Sequence, residues 1–486
     1  MIRMHVRTIA QLCLAFLFAG CSPNALVDAD PPGNFVDPGI AKTETGARQL
    51  MNTAISAFTN ELGGGGSTYG AELQPYGPSP WIYVVALFTD EAMIAPGSAA
   101  IPQGRDGIDA RSLIGDRGVP NDQPGKVYGD YHQARIKLRQ AREALRRYAP
   151  NAHTALQGRL AAMEGNVILW FAELFCSGIP LTTVPMEGDP EETAGYSTHE
   201  LFQYAVALFD SAIVLSGDSS SVKYFASVGK GRGLLGLGRF DEAAAAVRDV
   251  PTDFVIKAYY NGGPGYPFNI IGTMPQSFRI ADHEGGNGLA WSTDPRAAIV
   301  TTPALSGTMG VPAKYSQTPA GTPDASVSIV SNSIRVADGL EARLIEAEAA
   351  LFAGDGAWLT ILNALRETCV GTAVCAPVPG LTVSQLPALT DPGTPAARLD
   401  TLMKERAMWL YLTGHRQGDL RRLARVYGRS RETLWPTGMY TSPPSPPLNF
   451  APPSHTTPYG TSVVFTPDPN EARLNQKYHG CNDLEP

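Results

Sequence analysis

Eight histidines are the first place to look for acid–base or metal chemistry in this 486-residue chain. His199-Glu200 and His283-Glu284 both begin like a zinc-protease helix, where a second imidazole four positions on would share the face of the first. Gln203 and Asn287 stand at those positions, so neither pair becomes a metal-binding unit. The chain has no Gly-x-Ser-x-Gly turn to present a nucleophilic serine. Gly229-Lys230-Gly231 lacks the earlier glycine and the following Ser or Thr of a phosphate-cradling loop. Gly231-Arg232-Gly233-Leu234-Leu235-Gly236 has the letters of a dinucleotide fingerprint, but that fingerprint needs a preceding strand, and the surrounding period here is helical. Paired carboxylates for glycoside hydrolysis need not be neighbours in sequence, and nothing singles out such a pair. No residue set calls for catalysis, a cofactor or a metal, and the chain reads as a non-enzyme.

The cysteines are more informative. Cys13 sits in a mostly apolar run, Ile9 to Phe18, behind Arg3 and Arg7. At about 1.5 Å per residue so short a run cannot cross about 30 Å of hydrocarbon, so residues 1–20 read as a signal peptide and not a membrane span. The run ends Leu17-Phe18-Ala19-Gly20-Cys21, similar to the bacterial lipobox with Phe18 where leucine is usual. Cys21 is therefore expected to be the acylated mature N-terminus, its chains anchored because each buried CH₂ contributes about 0.8 kcal/mol. Cys176, Cys369, Cys375 and Cys481 remain, an even number in an exported chain. Three pairings are open. Cys369 with Cys375, across Val-Gly-Thr-Ala-Val, is the favoured one, and Cys176 with Cys481 follows as the weaker inference. A zinc site is the alternative, with no second closely spaced pair or partnered histidine to support it.

The elements that must position any site come from composition and period. Apolar residues are 43% of the chain, enough for a sizeable core, while 50 glycines and 40 prolines imply many ordered loops on a packed scaffold. The net charge is −8 and no stretch is strongly basic, which sets nucleic-acid binding aside. Residues 21–40 hold Pro23, Pro31, Pro32 and Pro38 with Asp28, Asp30 and Asp37, the makings of an extended tether, and residues 41–486 follow as one domain. Leu156, Leu160, Met163, Val167, Trp170 and Leu174 keep the spacing of a core-facing helix, as do Leu201, Ala205, Leu208, Ala212 and Leu215 behind a Ser197/Glu200 capping box. Further helices are expected near 47–61, 81–95, 130–148, 222–235, 240–249, 337–353, 357–368, 397–412 and 416–427. The Gly238 and Gly354 turns between helix pairs resemble those of tetratricopeptide repeats, without their fixed period. Long irregular stretches at 62–80, 96–129, 251–336, 370–396 and 434–470 carry aromatics suited to a binding surface, although most such rings simply pin their own loops.

The most specific segment runs Met403-Lys404-Glu405-Arg406 through Leu410, Gly414-His415-Arg416 and Asp419-Leu420-Arg421. It resembles the signature of the SusD/RagB family of outer-membrane nutrient-binding lipoproteins, with Thr413 where the family carries Glu. Phe175-Cys176-Ser177-Gly178-Ile179-Pro180-Leu181, Asp294-Pro295-Arg296, Arg343-Leu344-Ile345-Glu346-Ala347-Glu348-Ala349 and the stretch from Asn470 to Tyr478 resemble further family segments in the same order. The resemblance covers nearly the whole chain.

That resemblance implies a mostly α, SusD-like fold in which tetratricopeptide-like helix pairs support long irregular loop regions. It also implies a surface lipoprotein that captures an oligosaccharide or peptide and lids a TonB-dependent outer-membrane transporter barrel. A structural lipoprotein without its own ligand is the alternative. Trp81, Tyr259, Tyr260, Tyr266 and Trp291 are named as ligand contacts on composition alone. Glu405, Arg406, Gly414, Arg416, Asp419 and Arg421 are expected to be structural. On one continuous helix Glu405 and Arg416, eleven positions apart, return to the same face, as a charged row that pairs with a neighbouring helix.

Overall fold

The structure, a computed structural model, describes residues 42–65, 80–94, 105–112, 123–150, 154–260, 268–269, 278–282, 288–297, 299–304, 307–312, 333–369, 386–441 and 456–486. Helices dominate. In chain order they are α1 (Glu44–Gly63), α2 (Trp81–Phe88), α3 (Arg105–Asp109), α4 (Gln123–Tyr148), α5 (Thr154–Leu174), α6 (Thr198–Leu215), α7 (Ser220–Gly236), α8 (Phe240–Val247), α9 (Gly339–Phe352), α10 (Ala357–Cys369), α11 (Pro395–Trp409), α12 (Arg416–Arg425) and α13 (Glu471–Leu474). Each helix from α4 to α10 packs on the next along the chain, and α1 lies against α4. This is the stacking of helix pairs in a solenoid, where each pair buries its apolar stripe against its neighbours.

Local chemistry sets the helix ends. The Ser197/Glu200 capping box forms in both directions, with Glu200 N–H donating to the Ser197 hydroxyl at 3.2 Å and Ser197 N–H to the Glu200 carboxylate at 2.8 Å. The glycines of the dinucleotide-like sequence lie within α7 and serve packing. A Cβ on Gly229 would stand 2.3 Å from the Phe209 ring, and one on Gly236 would stand 2.4 Å from Phe202. Two aromatic side chains of α6 thus rest on the bare backbone of α7.

Two expectations need correction. The 81–95 helix stops at Phe88, because Thr89 turns extended and residues 92–94 pair as a strand. The 251–336 stretch is not wholly irregular. Most of the short strands come from it, in the set β1 (Gly64–Gly65), β2 (Ala92–Ile94), β3 (Val255–Ala258), β4 (Phe268–Asn269), β5 (Phe278–Ile280), β6 (Ile299–Ala304), β7 (Gly307–Pro312), β8 (Ile334–Asp338), β9 (Met439–Thr441) and β10 (Thr456–Pro458). These form antiparallel pairs β1–β4, β2–β5, β3–β8, β6–β7 and β9–β10, which clip loops to the helical stack. Cys176, just after α5, is bonded to Cys481 near the C-terminus. Cys375 lies outside the described residues, as do residues 1–41 with Cys21.

Candidate functional site

The segment 403–421 does not form one continuous helix, so Glu405 and Arg416 do not share a face. α11 ends at Trp409, and the chain crosses to α12 through Leu412 at φ 53° and Gly414 at φ 78°. The carboxylate of Glu91 accepts the Leu412 N–H at 2.8 Å and holds this turn. Only glycine fits at 414, since a Cβ there would lie 2.1 Å from the Trp81 indole nitrogen. The two charges find different partners. Glu405 accepts from Arg296 at 2.7 and 3.1 Å and from Arg366 at 3.0 and 2.6 Å. Arg416 donates to both carboxylate oxygens of Asp90 at 2.7 and 2.9 Å.

The rest of the motif is as fully engaged. Arg406 bonds Asp419 at 3.2 and 2.9 Å, and Arg422 bridges Asp419 at 2.8 Å and Glu348 at 2.6 and 2.8 Å. His415 Nε2 lies 3.0 Å from Glu341 Oε1, near enough for an ion pair when protonated but misaligned for a hydrogen bond. Burial pushes the Asp419 carboxyl up, but the charges of Arg406 and Arg422 outweigh it and hold the group well below its ordinary range. Burial likewise opposes the charge on Glu405, and the hydrogen bonds from Arg366 and Arg296 reverse the sign. Arg421 has no carboxylate partner. It donates to the carbonyls of Ala172 and Phe175 at 2.6 and 3.0 Å, capping α5, and burial, then Arg425, pushes its pKa down to about 9. These groups are buried, and their charges are met by one another or, for Arg421, by backbone carbonyls.

Three of the five aromatic candidates are core residues, which corrects their assignment as ligand contacts. Trp81 is buried, stacked on Trp170 at 5.5 Å and in edge contact with Tyr131. Trp291 is fully buried against Tyr411, with its indole N–H donating to the Asp90 carbonyl at 2.6 Å. Tyr260 is buried and donates its hydroxyl to the Thr59 carbonyl at 2.9 Å. Tyr266 lies outside the described residues. Tyr259 differs from the rest, with 75% of its surface exposed.

Tyr259 lines a small cleft between α1, α5, α7 and the β3–β8 pair, with a cavity volume of about 130 Å³. Ile55, Phe58 and Thr59 present one face of α1, and Arg159 and Met163, four apart, present one face of α5. Ile256 to Tyr259 and Val336 come from the strands, whose register shifts between Ile256 and Lys257. Such a bulge re-aims side chains and is common beside functional sites. The floor is apolar, with Phe58, Met163 and Phe225 buried, and the polar groups of the lining include two cations, Arg159 and Lys257. Neither makes an ion pair among the described residues. Arg159 Nε is shut away from solvent with no acceptor, and burial lowers the pKa of its guanidinium. Among the described residues, no acidic side chain lines the cleft. Sequence reasoning missed Arg159, although a signal exists: no acidic residue stands three or four positions to either side of it in α5.

No family model matches the sequence, and no curated protein is similar to it. Solved structures are similar over almost the whole chain. A SusD-like protein of Bacteroides fragilis NCTC 9343 is 14% identical with a TM-score of 0.58, over 93% of this chain and 100% of that one. A SusD-like carbohydrate binding protein of Bacteroides vulgatus ATCC 8482 is 11% identical with a TM-score of 0.54, over 92% and 98%. A laminarin binding SusD-like protein is 14% identical with a TM-score of 0.58, over 90% and 99%. The fold of this chain is SusD-like and mostly helical, as the resemblance of its motifs implies.

Proposed function

We propose that this chain is a surface lipoprotein of the SusD/RagB family that captures an oligosaccharide and delivers it to a TonB-dependent outer-membrane barrel. The observation that carries the reading is the end-to-end likeness to the laminarin binding protein, 90% of one chain on 99% of the other, so that the whole architecture is shared and not a module of it. The ordered motifs of the sequence support the same family. Cys21 would carry the lipid and residues 21–40 would lift the domain from the membrane. The stacked helix pairs offer a wall for the barrel. In the cleft, the exposed ring of Tyr259 suits the C–H face of a pyranose, and the polar groups behind it suit its substituents.

One experiment tests capture and anchoring together: the full-length chain and its Cys21→Ala variant are fractionated and applied to a glycan array. The parent should sediment with the outer membrane and retain glycans. The variant should leave the membrane fraction and retain the same glycans. A chain that retains none, or retains only peptides, would end the oligosaccharide reading.

A further inference from the structure

Arg159 places an unspent cation in the wall of the cleft. Most other arginines of the helical core face carboxylates: Arg232 meets Glu173 at 2.7 and 2.5 Å, Arg296 and Arg366 meet Glu405, Arg406 and Arg422 meet Asp419 and Glu348, and Arg416 meets Asp90, while the buried Arg135 donates to the Thr182 carbonyl at 2.7 Å. Arg421, which lacks a carboxylate, has two carbonyls. Arg159 has neither, although it is half-buried with its Nε sealed. Withdrawing a guanidinium from water without an acceptor destabilises the fold, so its position in the wall of a cleft asks for an acceptor from outside. Lys257 is the second half-buried cation of the same wall; Arg335, opposite it in strand register, is paired with Asp338 at 3.2 Å and is not available to a ligand.

We propose that the cleft binds a sugar ring bearing an anionic substituent, a carboxylate or a sulfate, with Arg159 and Lys257 facing that substituent and Tyr259 against the ring. The inference rests on the oligosaccharide reading above and narrows it to acidic glycans. The chemistry fits each part. A guanidinium offers paired N–H groups that match the two oxygens of a carboxylate or two of a sulfate. Lys257 adds charge without fixed geometry. The apolar floor of Phe58, Met163 and Phe225 lowers the local dielectric and strengthens both contacts. Among the described residues of the lining, no carboxylate competes with the ligand for these cations. A neutral glycan would leave the Arg159 charge buried and uncompensated.

The test uses the full-length protein and an array carrying uronate-, sialate- and sulfate-bearing glycans beside neutral counterparts of the same backbone. Acidic glycans should be retained preferentially, with retention falling as salt rises, and the array separates carboxylate from sulfate. For the best acidic ligand, Arg159→Met should weaken binding on the order of tenfold or more, and Lys257→Met by less. Arg159→Lys should recover part of the loss. Lys257→Met, on a solvent-edge strand, guards against the case in which Arg159→Met fails to fold. Equal retention of acidic and neutral glycans, with both variants unchanged, would overturn the charge inference and leave oligosaccharide capture standing. Retention of no glycan would overturn both.

Discussion

The C-terminal helix pair and the Tyr259 cleft both hold arginines away from bulk water, and they treat them in opposite ways. Around α11 and α12 the guanidiniums meet carboxylates through two N–H contacts at a time, and Asp419 serves both Arg406 and Arg422. In the cleft the Arg159 Nε finds no acceptor among the described residues. Saturation of the first kind fixes geometry, because each planar fork accepts only one arrangement of its partner. An unspent cation of the second kind adds no rigidity and gives an anion a place to go. The most recognisable stretch of the sequence therefore builds the frame, while the most open chemistry sits where no motif lies.

The sharpest way to break this contrast is to cut the saturated region. Arg416→Ala removes the group that donates to both oxygens of the buried Asp90 carboxylate. Breaking a buried pair from one side costs about 3–5 kcal/mol. Urea denaturation should show a loss of that size, while the folded fraction keeps its glycan affinity, because neither residue lines the cleft. A variant that denatures like the parent but no longer binds glycan would move the site to these helices.

The partner of Arg416 could not be read from the sequence, and the reason is physical. Helical period assigned Glu405 and Arg416 to one face, which holds only if the helix continues. Gly414 was the warning, since a glycine at positive φ is the common way for a helix to end. Asp90 lies more than three hundred positions away, and only the folded core brings it to Arg416. The aromatic candidates failed for a related cause. Residue type cannot distinguish a ring that pins a loop from one that faces solvent, and Trp81 opens the uninterrupted apolar stretch Trp81–Phe88, which is buried on every side. The helix pairs and the capping box were legible because they depend on local spacing. The Cys176–Cys481 bond was legible only as the weaker pairing, since its ends are 305 residues apart. Sequence distance says little about spatial distance.

A second, smaller effect separates the regions by pH. Glu61 lies on α1 near the cleft and its Oε2 is sealed without an acceptor or donor. Burial, then the negative charge of Asp130, pushes its carboxyl up to about 8. Between its ordinary 4.5 and about 8 the native state keeps a proton that the unfolded chain has released, so this contribution to stability is present below 4.5 and is lost as pH rises through about 8. Glu405 and Asp419 have the opposite sign: their contribution is present above the ordinary carboxylate range and is lost as acid titrates their lowered values. Glu61→Gln should remove the alkaline decline and leave the acid limb unchanged in a series of thermal melts across pH. A decline in the variant as steep as in the parent would place its origin elsewhere.

The smallest effect on stability should come from the exposed residue proposed to meet the sugar ring. Tyr259 exposes 75% of its surface and its side chain makes no hydrogen bond among the described residues, so Tyr259→Ala should change stability by no more than about 0.5 kcal/mol. The same substitution removes the one exposed aromatic face of the cleft, where a pyranose ring would gain apolar contact. Affinity for retained glycans should fall by about tenfold, equivalent to about 1.4 kcal/mol, with acidic glycans still preferred over neutral ones because Arg159 is untouched. Isothermal titration of parent and variant at one salt concentration measures both quantities. Tyr259→Phe should bind as the parent does if the ring face is what matters, and a loss as large as that of the alanine variant would transfer the role to the hydroxyl. An alanine variant that unfolds would put Tyr259 with Trp81 and Trp291 among the rings that hold the frame, and the cleft would lose its platform.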